Sequence, residues 1–198
     1  MKMKKIYSKE KEAKRQKRNR IAIVVVMIFV LFGSIFGIIV NSFDNSETGS
    51  SIVKYGDFSF APSGGYWTTT FGSSSLIFLY NPLETANVTY ETNITNDYTD
   101  YSNVPVYIYS EDYTSEAEVY RNLYSIAQRI QNACPSELEG QCEDESWPVK
   151  DCTNNLIIIE ESDKNEIIQN DGCVYIRGQN EDLIKLSDEF LYRVYGIK

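Results

Sequence analysis

The stretch Asn155-Leu-Ile-Ile-Ile-Glu160 is a continuous apolar run bounded by polar residues. A strand with one face in water alternates apolar and polar side chains, whereas a strand covered on both faces is apolar throughout. The run therefore predicts a buried central strand. Further along the chain, residues 166–169 form a weaker candidate strand, and Asn170-Asp-Gly172 predicts a turn into another strand, Cys173-Val-Tyr-Ile-Arg177.

One helix is predicted before these strands and one after them. Ser115 and Glu118 have the spacing of a capping box, and apolar residues then recur every three or four positions, at Val119, Leu123, Ile126, Ile130 and Ala133. Cys134-Pro135 ends this first helix. Asn180 is the predicted N-cap of the second helix, whose apolar face consists of Leu183, Leu186, Phe190, Leu191 and Val194. We interpret both apolar faces as core packing.

Short β-type runs precede the first helix. They cover residues 52–55, 58–60, 66–71 and 76–80, and a stronger strand follows at Val104-Pro-Val-Tyr-Ile-Tyr109. Glycine- and serine-rich turns separate the first four runs, which predicts an antiparallel meander or a pair of hairpins. The order of elements predicts an α+β fold: one domain at residues 52–198, with a mixed or antiparallel sheet and two helices on one face.

An apolar segment without any charged side chain precedes this domain, at residues 21–40. A helix of about twenty residues is roughly 30 Å long, which matches the hydrocarbon core of a bilayer. The segment therefore predicts a transmembrane helix between a basic tail, residues 1–20, and a linker, residues 41–51.

The formal net charge of −9 is distributed unevenly around this segment. Residues 1–20 carry ten basic and two acidic side chains, a net charge of +8, whereas residues 41–198 carry nine basic and 26 acidic side chains, a net charge of −17. Basic flanks of membrane helices stay in the cytoplasm. The sequence therefore predicts a single-pass protein of the cell membrane with a cytoplasmic N-terminus and an extracytosolic domain.

The apolar segment is interpreted as an uncleaved signal-anchor. The apolar core of a signal peptide is about 7–15 residues long and ends at a small-residue cleavage site, but Val40-Asn-Ser-Phe-Asp44 offers no such site. Gly33 and Gly37 have the spacing that permits close packing of membrane helices, so they are candidate helix-packing residues, and a plain anchor is the alternative. Contact with the lipid bilayer accounts for the basic tail, without a nucleic-acid partner.

Four cysteines lie in the predicted outer domain, at Cys134, Cys142, Cys152 and Cys173. An even number of cysteines outside the cytosol indicates disulfides. Three pairings are open, and we favour Cys134 with Cys142 and Cys152 with Cys173, because the first pair closes a small loop and the second joins the starts of two strands. Asn87-Val-Thr89 and Asn93-Ile-Thr95 are N-x-T sequons, so Asn87 and Asn93 are candidate glycosylation sites.

The residue types argue against catalysis. The chain has no histidine, which removes the commonest general base and metal ligand. The cysteine spacing does not match a zinc site, and the acidic residues at 137–145 lack the spacing of a calcium loop. No catalytic residue, metal or cofactor is therefore predicted. Glu160, Glu161 and Asp163 remain as candidates for a carboxylate-dependent hydrolase.

A polar segment at residues 83–103 is rich in tyrosine, asparagine and threonine. Tyrosine is large, rigid and amphipathic, which suits binding surfaces. One hypothesis is therefore a face that binds a glycan or a peptide. The alternative is a polar edge strand and loop.

A resemblance rests on Ile130-Gln-Asn-Ala-Cys134, Trp147-Pro-Val-Lys-Asp-Cys152, Cys173-Val-Tyr-Ile-Arg-Gly178 and the residues from Asp182 to Tyr192. With these motifs the chain resembles a group of uncharacterised single-pass membrane proteins of small-genome archaea. The resemblance covers the anchor and about residues 125–198. It implies a basic tail, one anchor and a cysteine-stabilised outer domain, and it assigns no activity.

These observations favour a membrane-anchored extracytosolic module of the cell envelope that binds, assembles or supports other components without catalysis. The expected partner besides the bilayer is an envelope protein or a glycan, and the sequence assigns no oligomeric state. Two alternatives stay open. One is a subunit of a signalling or secretion complex that pairs through its transmembrane helix, and the other is an extracytosolic hydrolase that uses carboxylates.

Overall fold

A computed structural model describes residues 51–198 together with Ile23, Val25 and Met27, which are helical and exposed. The basic tail, the rest of residues 21–40 with Gly33 and Gly37, and all of the linker except Ser51 lie outside the described residues. Within the described part of the chain, no helix is both long and apolar enough to cross a membrane. The transmembrane helix therefore stays a prediction.

The first four strands form an antiparallel sheet in chain order, namely β1 (Val53–Tyr55), β2 (Phe58–Ser63), β3 (Tyr66–Phe71) and β4 (Ser74–Phe78). Ser63 pairs with Tyr66 across a turn of two residues, Gly64 and Gly65, whose φ angles are +59° and +88°. A two-residue hairpin turn with positive φ at both positions is the natural place for glycine. The predicted meander is confirmed.

Eight further strands follow: β5 (Glu91–Thr92), β6 (Pro105–Ser110), β7 (Arg129–Asn132), β8 (Cys134–Pro135), β9 (Val149–Lys150), β10 (Asn155–Glu161), β11 (Glu166–Asn170) and β12 (Cys173–Gly178). Six of them form a mixed sheet in the order β5-β11-β12-β10-β6-β7, in which the last four are mutually parallel and β11 is antiparallel to β12. β8 and β9 pair only with each other. The apolar run lies at the centre of the mixed sheet, and its four apolar residues are at most 1% exposed.

Four α-helices lie in residues 51–198: α1 (Pro82–Thr85), α2 (Tyr98–Tyr101), α3 (Tyr113–Leu123) and α4 (Asn180–Val194). The α+β class and the mixed sheet are confirmed, but the predicted number of two helices is wrong. α1 and α2 are single turns. Each has its own capping box, formed by Asn81 with Glu84 and by Asp97 with Asp100, and boxes of this kind satisfy the free N–H groups at a helix start.

The boundaries of α3 differ from the prediction. Asp112, not Ser115, caps the helix, because its carboxylate accepts a hydrogen bond from the Ser115 N–H at 2.7 Å. The helix ends at Leu123. Of the residues that continue its apolar spacing, Ile130 lies in β7, whereas Ile126 and Ala133 lie outside helices and strands. Pairing with β6 satisfies the backbone of β7, so tertiary contacts outweigh a spacing that fits either structure. The start of α4 also differs, since Gln179 is its N-cap and Asn180 its first residue.

The two long helices, α3 and α4, pack on one face of the six-stranded sheet, and the main core lies at this contact. Its buried apolar residues come from α3, α4, the mixed sheet and the meander. α4 also faces the meander, because the ring of Tyr192 lies 5.8 Å from that of Phe60 and 4.6 Å from that of Phe78. Nine residues of α4 are buried, six of them apolar or aromatic and three polar, namely Ser187, Asp188 and Glu189.

The opposite face of the six-stranded sheet packs against the cysteine-containing segment. Tyr107, Leu156, Ile158 and Cys173 are buried there. Two disulfides join Cys134 to Cys142 and Cys152 to Cys173, which is the pairing that the sequence favours. The second bond ties the segment before β10 to the start of β12, so it fixes the covering segment to the sheet.

Candidate functional site

Two carboxyl groups face each other in the core, which makes them the first candidate for chemistry. Glu118 of α3 and Asp188 of α4 are both 0% exposed. Glu118 Oε1 accepts a hydrogen bond from the Leu79 N–H at 3.2 Å, and Asp188 Oδ2 accepts one from the Tyr80 N–H at 2.8 Å. Glu118 also accepts one from Arg121. The pair therefore satisfies the backbone just beyond β4.

Asn122 extends this arrangement along β4. Its side chain accepts a hydrogen bond from the Ile77 N–H at 2.9 Å and donates one to the Ile77 carbonyl oxygen at 2.7 Å. The Tyr192 hydroxyl donates to the Tyr80 carbonyl oxygen. We call Asn122, Glu118, Asp188 and Tyr192 the β4 clasp. An unpaired strand edge exposes free N–H and C=O groups, and the clasp satisfies them with side chains of two helices.

The carboxyl pair titrates abnormally because it is buried. Burial and the neighbouring Glu118 raise the pKa of Asp188 well above its usual range, and burial also raises the pKa of Glu118. In the unfolded chain both groups lose their protons near pH 4. Above that pH the folded state holds the extra proton, so this pair makes the free energy of unfolding fall as pH rises toward the raised pKa.

Asp188→Asn is expected to gain stability relative to the unsubstituted chain as pH rises from 4.5 to 8. The amide keeps an oxygen for the Tyr80 N–H and offers a permanent N–H donor to Glu118, so no proton is needed. Urea unfolding of the full chain at both pH values measures the difference. Asp163→Asn, at an exposed position, is the control. Its difference in unfolding free energy from the unsubstituted chain should not depend on pH. An Asp188→Asn difference that is equally independent of pH contradicts the prediction.

The carboxylates considered for a hydrolase lie elsewhere, at the carboxyl ends of β10 and β12. Glu161 and Asp163 line a surface depression of about 430 Å³ with Ser162, Gln179 and Asn180. Glu160 pairs with Arg177, and Glu161 Oε1 accepts a hydrogen bond from the Asn180 side chain at 2.8 Å. Within residues 51–198 and the three described helical positions, no group of three or more acidic or cysteine side chains could hold a metal ion.

The two sequons have different surroundings. Asn87 is exposed. Asn93 is also exposed, but its side chain exchanges two hydrogen bonds with the backbone of Gln169, at 2.6 and 3.2 Å. Thr95 of the same sequon donates its hydroxyl to the Gln169 side-chain oxygen at 3.2 Å. These contacts hold the second sequon, which directly follows β5, against β11.

The tyrosines of the segment at residues 83–103 are largely structural. Tyr101 is 1% exposed. Tyr90 donates its hydroxyl proton to Glu189 and accepts from Arg193 Nη2 at 2.8 Å, and burial and Glu189 raise its pKa to about 12. Tyr98 is 40% exposed, and its ring lies 5.0 Å from that of Phe71. The structure thus supports a packed edge more than a free binding face at this segment.

Three further exposed tyrosines lie along α3, two within the helix and one at its C-cap. Tyr113, Tyr120 and Tyr124 are 83%, 41% and 64% exposed. Spacings of seven and eleven residues place them in one row along a helix, and the rings of Tyr120 and Tyr124 stack at 5.5 Å. We call these three residues the tyrosine face. The spacing Tyr-x6-Tyr-x3-Tyr in the sequence would have revealed it, but only with the correct start of α3.

Neighbouring residues extend this surface toward the meander. The Arg121 guanidinium lies 4.9 Å from the ring centroid of Tyr66, which is 37% exposed. A cation above an aromatic ring orients both groups. Arg121 also pairs with the buried Glu118, so the tyrosine face adjoins a rigid part of the molecule.

Protein-family models, curated proteins and solved structures yield no match to this chain. The resemblance to single-pass archaeal membrane proteins therefore stays a prediction, and the functional interpretation depends on the geometry described above.

Proposed function

We propose that the chain is a membrane-tethered, extracytosolic module of the cell envelope that binds a protein partner through the tyrosine face and performs no catalysis. The row of exposed tyrosines on α3 carries this proposal. Soluble domains bury most large aromatic groups, and tyrosine is enriched at protein interfaces, where its ring packs and its hydroxyl stays hydrated.

The surroundings of the tyrosine face support a binding role. α3 is held from beneath by Val119 and Leu123, which are 0% exposed, and by the β4 clasp. A rigid aromatic surface loses little conformational freedom on binding. Residues 51–198 carry nine basic and 24 acidic side chains, so a neutral or basic partner surface is favoured over an acidic one.

Two independent features support the extracytosolic compartment of this proposal. The two disulfides suit an oxidising space outside the cytosol. The charge difference between residues 1–20 and 41–198 supports a cytoplasmic N-terminus. Both features support a tyrosine face on the outer side of the membrane.

Photo-crosslinking in native membranes tests the proposal. A benzophenone side chain replaces Tyr124 in the full chain, and a control chain carries it at Ser146, which is exposed in the cysteine-containing segment. We expect a protein adduct from position 124 and none from 146, and protease added to intact cells should digest it. An adduct of equal yield from both positions, or one protected from external protease, contradicts the proposal. If the adduct contains only glycan, the partner is a glycan and not a protein.

Substitution of the tyrosine face gives the quantitative test. Tyr113, Tyr120 and Tyr124 changed together to serine should weaken capture of the crosslinked partner about thirtyfold or more, since central aromatic residues contribute about 2 kcal/mol or more to binding. The urea midpoint should barely change because the side chains are exposed. Capture that survives the triple substitution contradicts the assignment of this surface.

A further inference from the structure

Two basic side chains converge on one tyrosine at the sheet face turned away from the helices. Tyr107 of β6 is 4% exposed. Arg129, the first residue of β7, donates a hydrogen bond from Nη2 to the Tyr107 hydroxyl oxygen at 2.8 Å. The Lys150 ammonium of β9 lies 4.4 Å from the centroid of the same ring. Three separate strands thus bring these groups together.

Neither cation is paired with a carboxylate of residues 51–198. Six of the nine basic residues in 51–198 form ion pairs within 4.0 Å, namely Arg121, Lys164, Arg177, Lys185, Arg193 and Lys198. Arg129 and Lys150 form none within these residues, although acidic side chains outnumber basic ones there by 24 to nine. Two positive charges held against one ring repel each other. An anion bound between them would attract both.

The hydrogen-bonding groups of Tyr107, Arg129 and Lys150 that remain available to a ligand are donors. Within residues 51–198 the Arg129 side chain makes one hydrogen bond, to Tyr107, and the Lys150 ammonium has no acceptor other than Tyr107. Since the Tyr107 oxygen accepts from Arg129, its own O–H remains free to donate. Arg129 and Lys150 also lower the pKa of Tyr107, as expected for a phenol in a positive environment.

We propose that Tyr107, Arg129 and Lys150 form a binding site for a compact oxyanion, a sulfate or phosphate group. The guanidinium fork and the ammonium are the usual ligands of such groups, and their charge-assisted hydrogen bonds are stronger than neutral ones. Arg129 is exposed and Lys150 half-buried, so an anion reaches the site from solvent. A free anion and a lipid headgroup present the same chemistry.

Sodium sulfate is the first probe, added to the full chain in a neutral detergent. The pH is set where the first tyrosine begins to ionise. Sulfate should then lower the near-ultraviolet absorbance of tyrosinate, and the decrease should saturate, because a bound anion disfavours ionisation of the nearby phenol. Sodium chloride at equal ionic strength should leave it unchanged. An equal response to chloride overturns the proposal, since ionic screening then explains it.

Variants locate the effect. R129Q and K150Q should each weaken sulfate binding about tenfold or more in calorimetric titration, the usual cost of losing one charge-assisted hydrogen bond. K185Q is the matched control, because Lys185 lies on α4 beside Asp182, and near-ultraviolet circular dichroism verifies folding. Sulfate affinity unchanged in both R129Q and K150Q overturns the proposal, and K150Q alone decides if R129Q does not fold.

Lipid nanodiscs separate the two sources of the anion. The same absorbance change in phosphatidylglycerol discs, without added sulfate and relative to phosphatidylcholine discs, identifies an anionic headgroup as the ligand. A change that requires soluble sulfate in both kinds of disc identifies a free anion. Either result requires the site formed by Tyr107, Arg129 and Lys150, so R129Q should abolish the absorbance change.

Discussion

Asn122→Leu is expected to lower the free energy of unfolding by roughly 2–6 kcal/mol. Leucine has a similar size, but it leaves the Ile77 N–H and carbonyl oxygen without the partners that Asn122 supplies at 2.9 and 2.7 Å. Asn122 is 2% exposed, so little water reaches these groups. A buried polar group that loses its hydrogen bond costs about 1–3 kcal/mol, and two are lost here.

Urea unfolding followed by circular dichroism measures this loss at one fixed pH. Asn170→Leu is the matched control, because Asn170 lies at an exposed end of β11 and should change stability by less than about 0.5 kcal/mol. If both leucine variants unfold at the same urea concentration, the β4 clasp does not hold the meander to the helices.

Replacing both Cys152 and Cys173 by alanine is expected to cost about 3 kcal/mol. Their bond closes a loop with a sequence separation of 21, and a cross-link of this span restricts the unfolded chain by about that amount. The loop contains β10 and β11, and Cys173 is 0% exposed. Loss of the bond therefore frees the covering segment from the central strands.

The second disulfide provides the comparison. Cys134 and Cys142 have a sequence separation of eight, so their joint replacement by alanine should cost less, about 2 kcal/mol. Urea unfolding with and without dithiothreitol measures both effects, and reductant should destabilise the unsubstituted chain more than either double variant. A chain whose urea midpoint ignores reductant contradicts both expectations.

The sequence predicts those parts of the fold that depend on local pattern. The burial of residues 156–159 in β10 follows from their apolar run, because a strand between two covered faces has no polar side. The meander follows from alternation and from glycines at its turns. These features need no knowledge of distant residues.

Other features depend on partners far along the chain. Ile130 fits the apolar spacing of a helix, yet it lies in β7 because β6 offers it a backbone partner. Glu118 fits a capping box, yet it is buried under β4. Neither partner can be identified from spacing alone, since pattern describes one element at a time.

The candidate sites show the same division. The four cysteines could be paired correctly because loop length and strand starts limit the choices. The tyrosine face could not be recognised while the start of α3 was placed three residues too late. The Tyr107 site depends on three strands that meet only in the folded sheet, so no sequence spacing describes it.

The β4 clasp also sets a schedule for synthesis. Tyr80 and its partner Asp188 are 108 residues apart, and ribosomes add about 5–20 residues per second. The meander therefore emerges roughly 5–20 seconds before α4, with one strand edge open to pairing with other chains. During that interval the nascent protein is exposed to aggregation through this edge, and any delay in translation late in the chain lengthens the exposure.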